Sequence, residues 1–316
     1  MNKDRKPEQH IKWELIKHID KLHRHLSESK NTSVLGLSTG LVDLDEFTTG
    51  LYPSQLIIFG GRTGMGKTAL AMSIANHVAL NLQRNVFIFS AEKSPDFVAQ
   101  NLLSALARVD NLSLKNGCLD DDQWPKLKKA VELLSEAPVY VDHCIGDNIE
   151  EICVKASELS AKVGNPGLII VDYIQILARS SASPENRTAE ISAITRHLKT
   201  LAKELNTPII ALSQINRNVE QRDDQRPRLC DLRDSGSIEE DADIVCLLYR
   251  DEPGNLEMEI AKHRDGPIGK IRFDFISKFN LVENFDPNKE LELEFELKIA
   301  LEQSTAELLS DIINNN

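Results

Sequence analysis

Two hydrophobic rhythms alternate along the chain. Short runs rich in apolar residues recur at 55–59, 85–90, 138–142, 167–172, 207–213, 242–249, 257–263 and 269–275. Runs such as GLIIV and PIIAL carry no polar alternation, which suits strands buried on both faces. Between the earlier runs, apolar residues fall three or four apart, as do Leu70, Ile74 and Val78 in TALAMSIANHVAL, and this spacing predicts helices. Strand–helix alternation predicts an α/β fold with a mostly parallel central sheet flanked by helices. The last strands follow one another without helices, so they are expected to pair antiparallel at one edge. No internal repeat is evident.

The ends of the chain differ from its middle. In IKWELIKHIDKLHRHL, residues 11–26, Ile11, Leu15, Ile19, Leu22 and Leu26 form one apolar stripe on an otherwise charged helix. Such a stripe needs a partner surface, on its own domain or on a neighbouring subunit. His23 and His25 diverge on a helix and read as a solvated face rather than a metal site. SESKNTS, 27–33, is a linker by composition. The expected organisation is a leading helix and linker over 1–32, a main domain over 33–280 and an acidic tail over 281–316. Within the tail, residues 290–297 alternate Glu with Leu or Phe. That pattern fits an edge strand or the start of an acidic helix running to Ile313.

At 316 residues the chain holds one large or two small domains with ample core. No apolar run approaches ~18 residues, so no membrane span is expected. The first ten residues lack the apolar core of a secretion signal. The five cysteines form no C-x-x-C pair and read as reduced thiols of a cytoplasmic protein. A net charge of −12 speaks against the broad basic surface of most nucleic-acid binders. The tail, however, holds nine acidic residues against two lysines, a net of −7, which leaves −5 for residues 1–280. Any nucleic-acid contact must therefore use local loops or many subunits together.

The stretch GRTGMGKT, Gly61 to Thr68, follows the apolar run QLIIF and precedes the helical pattern. It has the form G-x-x-x-x-G-K-T. Glycines let the backbone turn several N–H groups toward one anion, and the helix starting near Lys67 adds the positive end of its dipole. In this reading Gly61, Arg62, Thr63, Gly64, Met65, Gly66, Lys67 and Thr68 cradle the phosphates of ATP. Lys67 reaches the β- and γ-phosphates, and the Thr68 hydroxyl ligates Mg²⁺. The bland alternative is a Gly-rich turn with a chance Lys-Thr pair.

Such a cradle needs a metal-side carboxylate and a group to activate water. Asp172 ends the run LIIVD and is the candidate for Mg²⁺; otherwise it is a simple strand-end Asp. Glu92 closes VFIFSAE and is the candidate general base; otherwise it is a surface carboxylate. Gln214 ends IIALSQ, where an amide can feel the γ-phosphate and pass its loss to the following loop; otherwise it caps a strand.

These stretches, with ENRTAEISAITRHLKTLAKELNTPIIALSQINRNVEQR, RPRLCDLRDSGSIEEDADIVCLLYRDE and AKHRDGPIG, resemble the C-terminal RecA-like ATPase domain of the bacterial replicative DNA helicase family, DnaB. The likeness runs from about residue 11 to 280, in the family's order and spacing. It implies a RecA-like P-loop NTPase that assembles into a ring, a homohexamer, and translocates on single-stranded DNA, with a helicase loader among its partners and no membrane role. It also implies that Lys262 and Arg264, in KHR, reach the nucleotide of the next subunit, where the arginine acts as a finger. Arg233, Asp234 and Gly236, in DLRDSG, would meet the DNA backbone. Several subunits repeating one such contact would hold a strand despite an acidic monomer. Residues 11–26 match the helix that in this family packs on the adjacent subunit.

Three departures from the family pattern stand out. Residues before 33 match only the connecting helix, so contacts made by the family's N-terminal collar, among them those with primase, are not expected of them. Lys93 follows Glu92 where the family usually has an apolar Met, and a cation there is expected to weaken the base; Asp234 also replaces the usual Glu. The acidic tail has no family counterpart. Two other readings fit parts of the sequence: a regulatory paralogue that joins or poisons a full-length helicase ring, and another RecA-like ATPase such as a recombination mediator. Without the resemblance, Arg264 reads as a salt-bridge partner and RDDQRPR as a solvated loop with balanced charges.

Overall fold

The computed structural model describes residues 34–288, apart from 145, 147, 179–183, 233–234 and 251–253, together with positions 11, 15, 16, 19 and 20 of the leading segment. Those five positions are helical, and Ile11, Leu15 and Ile19 are exposed. The remainder of the leading helix and the tail beyond Asn288 lie outside the described residues.

Among the described residues, nine strands form one sheet in the order β3-β2-β4-β5-β1-β6-β7-β8-β9. The strands are β1 Leu56–Gly61, β2 Val86–Ser90, β3 Val139–His143, β4 Leu168–Asp172, β5 Ile209–Gln214, β6 Ile244–Tyr249, β7 Asn255–His263, β8 Gly269–Ile276 and β9 Leu281–Asn284. The first six are mutually parallel and the last three add antiparallel at one edge, as the spacing of the late strands predicts. The strand β9 was not among those expected.

The apolar runs bury both faces because successive side chains point to opposite sides. Ile57 and Phe59 of β1 enter one core and Leu56 and Ile58 the other. The helices α1 Val42–Thr48, α2 Lys67–Asn76 and α3 Pro95–Ala107 belong to the first face; Leu70, Ile74 and Val78 are fully buried there. The short α4 Asn111–Asn116 and α5 Gln123–Glu136 follow α3, and α3 packs against both. The second face is covered by α6 Ile149–Val163, α7 Ile174–Leu177, α8 Pro184–Glu204 and α9 Ser235–Asp241. The edge strands are covered on one side only. In β7, Leu256, Met258 and Ile260 face the core and alternate with half-buried residues.

The lower edge of the sheet is tied by Asp243, which is 5% exposed. Its carboxylate accepts from the Leu56 N–H at 2.7 Å and pairs with Lys199 on α8 and with Arg264, 3.5 Å away. Among the described residues, no helix is long and apolar enough to cross a membrane.

Candidate nucleotide site

Strand register brings the candidate residues to one edge. Gly61 stands level with Gln214, and Ser90 level with Asp172, at the C-terminal ends of four parallel strands. The Ala91 N–H donates to the Asp172 carbonyl at 2.7 Å and joins the ends of β2 and β4. Ligands of open α/β sheets bind outside such carboxyl ends. Here a cavity of about 260 Å³ is lined by Thr63, Gly64, Gly66, Lys67, Thr68, Glu92, Lys93, Asp172 and Gln214, with Phe97, Asn101, Tyr173, Phe275 and Asn280 around them.

The cradle itself forms because Gly64 and Gly66 adopt φ of 83° and 93°, a region side chains with a Cβ rarely enter. Gly66 caps α2, so the helix begins at Lys67 with its N–H groups toward the cavity. Three members of the motif do not line the cavity. Arg62 turns away and donates to Glu220 at 2.7 Å and to the Ile215 carbonyl at 3.2 Å. Met65 packs against the first core. Gly61 contributes its carbonyl, which accepts from the Lys67 ammonium at 2.7 Å, beside the Arg62 carbonyl at 3.0 Å.

The charges of the cavity are held out of their usual ranges. Burial pushes the Lys67 ammonium down to about 8, against the pull of Asp172 and Glu92. Burial also pushes the Asp172 carboxyl up to about 6, although the Thr68 hydroxyl donates to it at 3.0 Å. A metal ion beside Asp172 and a polyphosphate beside Lys67 would each favour the charged form. The pair of hard oxygen donors fits a Mg²⁺-type ion. Among the described residues there is no group of three or more His, Cys, Asp or Glu able to hold a metal. Mg²⁺ would thus take phosphate and water oxygens as its remaining ligands, its usual habit.

Glu92 is 40% exposed at its side chain, and its carboxylate lies 2.8 Å from the Lys93 ammonium. Gln214 donates to the Thr63 hydroxyl at 3.0 Å, which links the end of β5 to the cradle. The next residue, Ile215, bridges Leu232, and the Asn216 N–H donates to the Asp231 carbonyl. Leu232 therefore stands beside the end of β5, and Arg233 and Asp234, next in sequence, lie outside the described residues. Gly236 is in the first turn of α9. The RDDQRPR stretch is anchored internally: Arg222 pairs with Asp231, and Arg226 with Glu257 at 2.8 Å.

Lys262 and Arg264 are not brought to the cavity of their own chain. Arg264 donates its N–H to Asp243, at the start of β6, whereas Gly61 stands level with Leu248 near its end. Five strand residues separate the two levels, about 17 Å, farther than an arginine side chain extends. Lys262 caps the end of α9 through the Glu239 and Ala242 carbonyls, and Arg264 donates to the Glu240 carbonyl at 3.0 Å.

Two contributors gave no signal in the sequence. Gln175, 5% exposed, accepts from the Gln214 N–H at 3.0 Å and donates to the Ser213 hydroxyl at 2.8 Å, clamping the end of β5 onto α7. Gln175→Leu strands these buried groups and is expected to cost about 1–3 kcal/mol, read as a lower urea midpoint with unchanged slope. Arg250 stacks on Phe275 at 4.3 Å and donates to the Gly64 carbonyl at 3.2 Å, bracing the lip of the cradle.

Comparison with known proteins places this geometry. Over 276 residues the chain is 41% identical to the "Replicative DNA helicase DnaB" of Geobacillus stearothermophilus, matching 85% of this chain and 60% of that protein. It is 38% identical over 286 residues to the "Replicative DNA helicase DnaC" of Bacillus subtilis, covering 88% of this chain and 62% of the relative. The chain thus spans about three fifths of the length of these curated relatives. Among solved structures, the ATPase domain of G40P superposes with a TM-score of 0.79 at 31% identity, covering 88% of this chain and all of that one. A DnaB-like replicative helicase, described with its interactions with primase, superposes at 0.75 and 31% identity, covering 85% of this chain and 66% of that one. With residues 36–284 matching the family described as "DnaB-like helicase C terminal domain" as well, the chain belongs to that family.

Proposed function

We propose that this chain is the ATP-hydrolysing motor of a ring-forming replicative helicase that moves on single-stranded DNA and unwinds duplex. One observation carries the reading. Lys67, Thr68, Glu92, Asp172 and Gln214 converge on one cavity, while Lys262 and Arg264 sit at the opposite edge of the sheet. A site with an arginine finger is then complete only where a second copy presents its lower edge to this cavity, and a closed ring, a hexamer by family likeness, satisfies that at every interface.

In this reading the cradle N–H groups and Lys67 bind the phosphates of ATP. Thr68 and Asp172 hold Mg²⁺, which when bound neutralises charge on the phosphates. Glu92 orients a water and takes its proton as the water oxygen bonds to the γ-phosphorus. The bond from that phosphorus to the β,γ-bridging oxygen breaks, and its electron pair leaves with ADP. Gln214 registers the lost phosphate, and the Ile215–Leu232 bridge gives that change a route to the segment holding Arg233, Asp234 and Gly236. Those residues meet the DNA backbone, and a loader protein is the expected means of placing the ring on a strand. The test is unwinding of a forked duplex by the purified chain with ATP and Mg²⁺, with Glu92→Gln as the hydrolysis-dead control.

A further inference from the structure

Beside Lys67, a second ammonium lines the nucleotide cavity, that of Lys93. Its backbone is fixed: the Ser90 hydroxyl donates to the Lys93 carbonyl at 2.7 Å and accepts from its N–H at 3.1 Å. The ammonium lies 2.8 Å from the Glu92 carboxylate and 5.3 Å from the centre of the Phe97 ring, which also lines the cavity. Lys67, by contrast, spends its donors on the cradle's own carbonyls. Both cations of the cavity thus contact protein groups, and for Lys93 that group is the carboxylate that has to act as base.

We propose that Lys93 is a terminal-phosphate-binding residue that exchanges between Glu92 and the γ-phosphate, so that a triphosphate both wins its ammonium and frees the base. This rests on the nucleotide-site reading above and adds to it a residue that discriminates ATP from ADP. The physics favours the exchange. The Glu92–Lys93 pair is 40% exposed on each side and joins neighbouring residues; exposed pairs of this kind are weak. A γ-phosphate offers more negative charge and several acceptor oxygens, and hydrogen bonds to such groups are the stronger class. ADP lacks that phosphate and leaves the ammonium on Glu92. The arrangement couples availability of the base to the presence of a hydrolysable ligand.

The experiment compares equilibrium binding of fluorescent ATP and ADP analogues, with Mg²⁺, by the full chain and its Lys93→Met, Lys93→Arg and Glu92→Gln variants. Lys93→Met is expected to weaken the ATP analogue about tenfold and to leave the ADP analogue within twofold. Lys93→Arg restores most of the ATP affinity. Glu92→Gln, which removes the competitor, tightens the ATP analogue by up to about fivefold with ADP again unmoved. Equal weakening of both ligands, or no change in either, overturns the proposal. Hydrolysis is measured alongside: turnover surviving in Glu92→Gln refutes the base assignment, whereas the ATP-against-ADP split judges Lys93 on binding alone.

Discussion

Lys67→Ala is expected to lower ATP hydrolysis by at least about 10²–10³-fold while the fold survives. The ammonium is buried against two loop carbonyls, and that burial pushes it down to about 8, so holding its charge there costs free energy. Its return comes only when phosphate replaces the carbonyls. Removing it deletes that gain and relieves the cost, so the urea midpoint stays close to wild type. Wild-type turnover in Lys67→Ala would remove the cradle assignment. The depressed value also sets a sign for pH. Phosphate favours the charged form and raises the value in the complex, so above about 8 binding must take up a proton. Affinity is then flat near pH 7 and falls by up to about tenfold per unit above that value, which calorimetric titration in several buffers reads together with the proton uptake.

Arg264→Ala is expected to bind nucleotide normally and to lose about 10³-fold or more in turnover. In its own chain Arg264 makes an ion pair with Asp243 at 48% side-chain exposure, plus a bond to the Glu240 carbonyl. Asp243 keeps Lys199 and the Leu56 N–H as partners when Arg264 is removed, so an inactive, folded variant is the expected outcome. The decisive version mixes chains. Arg264→Ala supplies an intact Glu92, and Glu92→Gln supplies an intact Arg264. Some interfaces in a mixed ring therefore join both, and turnover recovers relative to either variant alone. Mixtures that stay as inactive as their parts would contradict a site shared between subunits.

Much of the sheet was legible because burial on both faces writes itself as unbroken apolar runs. The eight expected strands lie within two residues of those observed at each end. The strand β9 escaped because LVEN is short and half polar. It pairs with β8 only after a single 3-10 turn and the left-handed Asn280, φ 48°, and its Val282 N–H is taken by Ser73 on α2. Glu92, Asp172 and Gln214 were legible because each closes an apolar run and parallel strands align such ends, whereas Lys67 and Thr68 were legible from the glycine-rich loop that leaves β1 and opens α2. Gln175 and Arg250 were not, since their partners, Ser213 and Gln214 for one and Gly64 and Phe275 for the other, are brought near only by the sheet order. The separation of Lys262 and Arg264 from the cavity is likewise a property of antiparallel β7, whose end returns to the lower edge.

The most direct test of the motor reading is strand separation on a forked DNA duplex by the purified chain with ATP and Mg²⁺, run against Glu92→Gln. The account predicts unwinding by the wild-type chain that disappears in Glu92→Gln while nucleotide binding persists. ATP hydrolysis by the wild-type chain with no strand separation at any concentration that forms rings would contradict it and would favour a regulatory partner of a complete helicase instead.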